Sequence, residues 1–189
     1  MILVVDHYDS FTYNLVQLIE SFGDTTEVVK SDAESAESLL RRHPEGVVLS
    51  PGPGRPEDAG CFPELIERLP AETPLLGVCL GHQALGLAAG GVIERATPVH
   101  GKASLVHHEG DTILAGVPNP FEAGRYHSLV VRREDLPEEL DLIAWSDDGL
   151  VMATRHRELP RFGVQFHPES ILTPDGPTIV RNFLRLARG

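Results

Sequence analysis

Residues 74–83 read PLLGVCLGHQ, and their order decides the fold. The apolar run from Leu75 to Val78 suits a strand buried on both faces, and the chain from Leu80 through Ala84, Leu85, Leu87 and Ala89 suits a helix. The turn between them falls at Cys79, bracketed by Gly77 and Gly81 as G-x-C-x-G. This is the cysteine counterpart of a nucleophile elbow: the glycines let strand and helix pass closely, and the middle residue takes a strained conformation that projects its side chain into a cleft. At a helix N-terminus, free N–H groups and the helix dipole favour negative charge on the sulfur, and the N–H of Leu80 is placed to hold an oxyanion. A free cysteine in a core is ordinarily a small buried hydrophobe. The glycines at the strand-to-helix switch point instead to a nucleophile.

Upstream of this segment, short apolar runs at residues 2–5, 27–29 and 47–49 read as further buried strands. Helical patterns separate them at residues 11–22, where Leu15, Leu18, Ile19 and Phe22 share one stripe, and at residues 33–42 and 63–69. The alternation predicts an α/β fold with a largely parallel sheet flanked by helices and functional loops at the carboxyl ends of its strands. After Gly91 the rhythm changes. Strands are expected at 104–107, 129–132, 142–145, 151–154 and 163–166 with little helix between them, so the second half adds an antiparallel portion. Ile179, Val180, Phe183, Leu184 and Ala187 mark a packed closing helix over 177–187. No linker or repeat interrupts the 189 residues, so one domain over residues 1–189 is expected.

Composition narrows the function. A net charge of -12 repels phosphate backbones and anionic membranes, which disfavours nucleic acid and membrane surfaces as partners. The run MILVV stops at Asp6 without a basic flank or cleavage site, so it reads as a strand and not a signal peptide, and no stretch reaches transmembrane length. Cys61 and Cys79 form no CxxC pair, giving neither a disulfide framework nor a zinc spacing. The cytoplasm is the expected compartment, and Cys61 is read as structural.

A thiol nucleophile needs a partner that holds and returns a proton. Of nine histidines the best placed is His167 in GVQFHPES, residues 163–170, where an apolar strand ends and Pro168 turns the chain out of the ladder. Glu169 follows two residues later and is suited to orient the imidazole, giving a Cys79, His167, Glu169 set. The loop SPGPGRP at residues 50–56 lacks the lysine and hydroxyl of a phosphate loop and does not match G-x-G-x-x-G, so it reads as an oxyanion or substrate-amide loop, or as a plain rigid turn. Gln83 in the first turn of the elbow helix and Tyr126-His127-Ser128-Leu129 are candidates to read substrate polar groups. His107 and His108 would point to opposite sides of a strand and make poor joint metal ligands.

Taken together, GVCLGHQ at 77–83, SPGPG at 50–54 and FHPE at 166–169 resemble class I glutamine amidotransferases, which have a flavodoxin-like sheet. DSFTYNL at 9–15, HGK at 100–102, RYHSL at 125–129 and SILT at 170–173 are similar to the small subunits of anthranilate synthase and aminodeoxychorismate synthase. The resemblance spans essentially the whole chain. It implies Cys79 as nucleophile with His167 and Glu169, oxyanion N–H groups from Gly54 and Leu80, and glutamine contacts from Gly52, Pro53, Gly54, Gln83, Ser128 and Leu129. It further implies a chorismate-binding large subunit facing residues 8–10 and 100–102, with no cofactor on this chain and Mg2+ on the partner. His7 stands where the family commonly has Asn, which touches the expected partner contact and leaves the triad intact.

The expected activity is therefore glutamine hydrolysis that feeds ammonia to a synthase, with anthranilate formation as the main reading and aminodeoxychorismate formation, or a subunit shared by both, as the alternative. Chorismate chemistry needs a larger site than this chain offers, so a partner chain is expected. A cysteine peptidase or gamma-glutamyl hydrolase would suit the elbow alone. A silent regulatory module is the reading from another class, against which the intact Cys79, His167 and Glu169 count.

Overall fold

The computed structural model describes residues 1–110 and 112–189. Strand and helix alternate through β1 (Ile2–Asp6), α1 (Thr12–Ser21), β2 (Thr26–Lys30), α2 (Ala36–Leu40), β3 (Gly46–Leu49), α3 (Phe62–Arg68), β4 (Leu75–Val78) and α4 (Leu80–Ala88). There follow β5 (Ile93–His108), β6 (Phe121–Val131), β7 (Leu140–Ser146), β8 (Val151–His156), β9 (Arg161–Val164) and α5 (Gly176–Ala187). Among the described residues, one nine-stranded sheet runs in the order β2-β1-β3-β4-β9-β8-β7-β5-β6. The strands from β2 to β9 in that order pair in parallel, and those from β9 to β6 pair antiparallel. Among the same residues no helix is long and apolar enough to cross a membrane.

The parallel strands are apolar throughout because both faces are covered. Leu3 and Val5 of β1 belong to a core with Phe62 and Leu65 of α3 and Leu85 of α4, whereas Ile2 and Val4 join Ile19 of α1 and Phe183 of α5 on the other side. Each strand residue thus alternates between two cores, as a period of two requires.

Where element bounds differ from the expectation, the reasons are local. The helix expected at 33–42 begins only at Ala36, because Ser35 is its N-cap and its hydroxyl accepts from the N–H of Ser38. Strands β5 and β6 are far longer than the segments expected at 104–107 and 129–132. They form a ribbon with register shifts between Arg95 and Val99 and between His100 and Lys102, and such irregularities erase the simple alternation. The strand expected at 163–166 leaves the ladder after Val164. His167 therefore lies beyond the strand end, not at it, although its N–H still donates to Gly124 O at 3.0 Å.

Candidate active site

Cys79 occupies φ 52°, ψ -99°, as the N-cap of α4. A side-chain-bearing residue held there stores on the order of 1–3 kcal/mol, which the surroundings must impose. A β-carbon on Gly81 would fall 2.5 Å from Leu49 O at the end of β3, and one on Gly77 would fall 2.4 Å from Gly81 O. Both glycines are therefore fixed by close backbone approach, and the elbow follows from their packing.

The sheet brings the distant half of the site to the elbow. Strands β4 and β9 pair in parallel with Val78 opposite Val164, so the residues that follow each strand emerge side by side. The Cys79 N–H donates to Val164 O at 2.8 Å, and three residues further on comes His167. His167 Nδ1 lies 2.6 Å from Glu169 Oε1, with both side chains almost wholly buried. Thr173 braces the turn: its hydroxyl donates to His167 O at 2.7 Å and accepts from the N–H of Gly124 at 2.9 Å.

Burial works against a charged His167, but the contacts with Cys79 and Glu169 outweigh it and raise the imidazole to about 10. Its Nε2 nevertheless makes no aligned hydrogen bond. Cys79 and His167 line the same cavity, and such catalytic hydrogen bonds tighten when substrate binds. The rings of Tyr126 and Phe11 pack against the imidazole with centroids 4.9 Å and 5.7 Å away. Burial lowers two other histidines, His82 to about 3 and His127 to about 4, so both are neutral at physiological pH.

The expected glutamine contacts converge. Gly52, Pro53, Gly54, Gln83, Ser128 and Leu129 all line a cavity of about 210 Å³ together with Cys79. Gly54 sits at φ +82°, a backbone state that favours glycine. The Leu80 side chain packs into the core beneath, and its N–H belongs to the first turn of α4, where helical amides lack an internal partner. An adjoining cavity of about 550 Å³ shares Cys79, Gly52, Pro53 and Tyr126 and adds His167, Tyr8, Asp9, Ser10 and His100. Lys102 lies outside that lining. A separate cavity of about 380 Å³ beside α3 and α4 contains neither Cys79 nor His167.

Other candidates separate from this site. His107 pairs with Asp147 at 2.6 Å and His108 with Pro118 O at 2.9 Å, so each has its own partner. Cys61 is buried in the core around α3, and burial pushes its thiol up to about 11, in keeping with a structural role. His7 turns inward: its Nδ1 lies 2.7 Å from Ser31 Oγ, and its backbone oxygen would lie 2.5 Å from a β-carbon on Gly52. His7 and Gly52 thus approach closely, with no room for a side chain at position 52.

Sequence reasoning passed over Gln165. It is fully buried, and its Nε2 lies 3.5 Å from Cys79 Sγ. A polar residue inside the apolar run Gly163, Val164, Phe166 was the available signal.

An elbow cysteine beside a histidine–glutamate pair on this sheet is the arrangement that thiol-dependent acyl transfer requires. The profile of the family "Glutamine amidotransferase class-I" matches residues 3–187, and the chain belongs to that family. It is 50% identical over 195 residues to anthranilate synthase component 2 of Pseudomonas aeruginosa, covering 100% of this chain and 97% of that one. The protein of the same name from Azospirillum brasilense is 48% identical over 190 residues, with coverages of 100% and 97%. A solved structure from Thermoplasma acidophilum, described as a GMP synthase protein, superposes with a TM-score of 0.89 at 27% identity, covering 99% of this chain and 93% of that one.

Proposed function

We propose that this chain is the glutaminase subunit of an anthranilate synthase. The observation that carries this reading is the meeting, in one pair of adjoining cavities, of the strained Cys79, the His167–Glu169 pair and the Gly52 to Gly54 loop. The names of the full-length relatives support the same assignment.

In this mechanism the Cys79 thiolate attacks the side-chain amide carbon of glutamine. The carbonyl π electrons move to oxygen, and the N–H groups of Gly54 and Leu80 hold the resulting oxyanion. His167, protonated by uptake of the thiol proton, gives that proton to the amide nitrogen as the carbon–nitrogen bond breaks and ammonia leaves. His167 then takes a proton from water, the hydroxide adds to the thioester, and glutamate departs as Cys79 recovers its proton. Glu169, bonded to Nδ1, fixes the tautomer that leaves Nε2 toward the sulfur. The neutral state of His82 and His127 keeps a second proton donor from competing.

The ammonia passes to a chorismate-binding large subunit docked over the cavity mouth near Tyr8 and His100, in the cytoplasm. Magnesium, where the synthase uses it, belongs to that partner. The test is to add the purified chain to each candidate large subunit with glutamine and chorismate and to follow glutamate and fluorescent product. Anthranilate with one partner is the expected result. Aminodeoxychorismate instead would move the subunit to the other pathway, and no glutamate with either partner would overturn the assignment.

A further inference from the structure

Gln165 follows the last residue of β9 and is held by a bond from its own N–H to Met152 O at 2.8 Å. Its side chain ends a chain of amides whose polarity is fixed from one end. Leu129 O is a backbone carbonyl and can only accept, so the Gln83 atom 2.9 Å from it is Nε2. The same nitrogen lies 3.2 Å from Gln165, where the atom facing it must be the acceptor Oε1. Turning either amide over would set oxygen against oxygen or donor against donor. The group that faces Cys79 Sγ at 3.5 Å is therefore the N–H2 of Gln165.

We propose that Gln165 is a catalytic residue: its amide donates a hydrogen bond to the Cys79 sulfur, stabilising the anionic nucleophile and holding it toward the substrate carbon, and the Leu129–Gln83 relay sets its direction. This rests on the glutaminase reading of Cys79. A bond to a charged acceptor is worth more than a neutral one, and in a buried site it acts without competition from water. As a consequence, Gln83 has both N–H groups engaged and keeps only its oxygen for the substrate, so this end of the cavity reads a hydrogen-bond donor.

The groups around the sulfur leave a clean window for a test. His167 faces it, with Glu169 on the same loop, Asp9 on the β1–α1 loop, and His127 of β6 close enough to affect the ring. His82 of α4 in turn interacts electrostatically with His127. His82 and His127, at about 3 and about 4, do not change charge between pH 5 and 9.

The experiment is the rate of Cys79 alkylation by iodoacetamide against pH, read at the Cys79 peptide by mass spectrometry, for the wild-type chain, Gln165→Met and Gln165→Glu. It is run beside kcat and KM for glutamate release with the synthase partner. Met keeps the length without the donor; Glu keeps the acceptor for Gln83 and places an anion at the sulfur. The alkylation midpoint should rise by about one pH unit in Gln165→Met and further in Gln165→Glu. The kcat should fall about tenfold, with KM within about threefold. A folded variant of either kind with the wild-type pH profile overturns the proposal. A wild-type chain that releases no glutamate overturns the glutaminase reading instead, and the alkylation profile still decides the role of Gln165.

Discussion

A β-carbon on Gly77 would lie 2.4 Å from the carbonyl oxygen of Gly81, so the strand that ends at the elbow and the helix that begins there touch backbone to backbone. Nothing larger than hydrogen fits. Gly77→Ala should cost about 1–3 kcal/mol through overpacking and should displace Cys79 enough to remove most glutaminase activity. Gly23→Ala is the contrast, because a β-carbon there meets nothing within 4 Å at φ +90° and only about 1 kcal/mol of backbone strain is expected. Urea unfolding of the two variants measures the difference; equal costs would show that the close approach does not hold the elbow.

The loop glycine at 54 separates chemistry from folding. A β-carbon there meets nothing within 4 Å, yet its φ of +82° is strained for any other residue. Gly54→Ala should lose only about 1 kcal/mol of stability while tilting the N–H away from the oxyanion, lowering kcat by about tenfold or more. Steady-state kinetics beside a thermal melt checks this, and a kcat equal to wild type would remove Gly54 from the oxyanion site.

The His167–Glu169 pair has a defined pH signature. The folded value of about 10 lies above the ordinary histidine value of 6.5. The stabilisation from this group is thus fully present below about pH 6.5 and is lost as pH rises toward about 10. The stability gap between wild type and Glu169→Gln should narrow over that window. Denaturant melts at pH 6.5 and pH 10 read the change, and a constant gap would mean that Glu169 does not hold a charged imidazole.

At the end of β1, Asp6 titrates in the opposite sense. Burial works against its charge, but Lys30, the N–H of Asp9 and the Thr12 hydroxyl outweigh it and hold the carboxyl below its usual 3.8. That stabilisation is present above pH 3.8 and disappears as the pH falls through the lower folded value. Lys30→Met should cost about 2 kcal/mol at neutral pH, discounted because the lysine is partly exposed, and the cost should vanish in acid. Melts at pH 7 and at a series of values below 3.8 test this; a cost that stays constant across the series would assign the loss to the lysine stem and not to its charge.

The sequence makes some of this architecture plain and hides the rest for physical reasons. Val47, Val48 and Leu49 read as a strand because both faces are covered, and Cys79 reads as a nucleophile because Gly77 and Gly81 allow the close strand-to-helix passage that an elbow requires. His167 was legible from Pro168 and the apolar strand before it. The full length of β6 was not, since Arg125 and His127 are buried on a ribbon that bends at its register shifts, and polar residues in such positions imitate a loop. Gln165 was hidden for a different reason: its partner Cys79 is adjacent only through the β4–β9 pairing, a contact between segments far apart in the chain.

The most direct test is glutamate release from glutamine by the wild-type chain and by Cys79→Ala, each with the proposed large subunit, with ammonia supplied separately as a control. The expected result is no glutamate release above background from the variant, while the partner still forms product from free ammonia. Appreciable glutamine hydrolysis by Cys79→Ala would contradict the thiol mechanism and the assignment of this cavity.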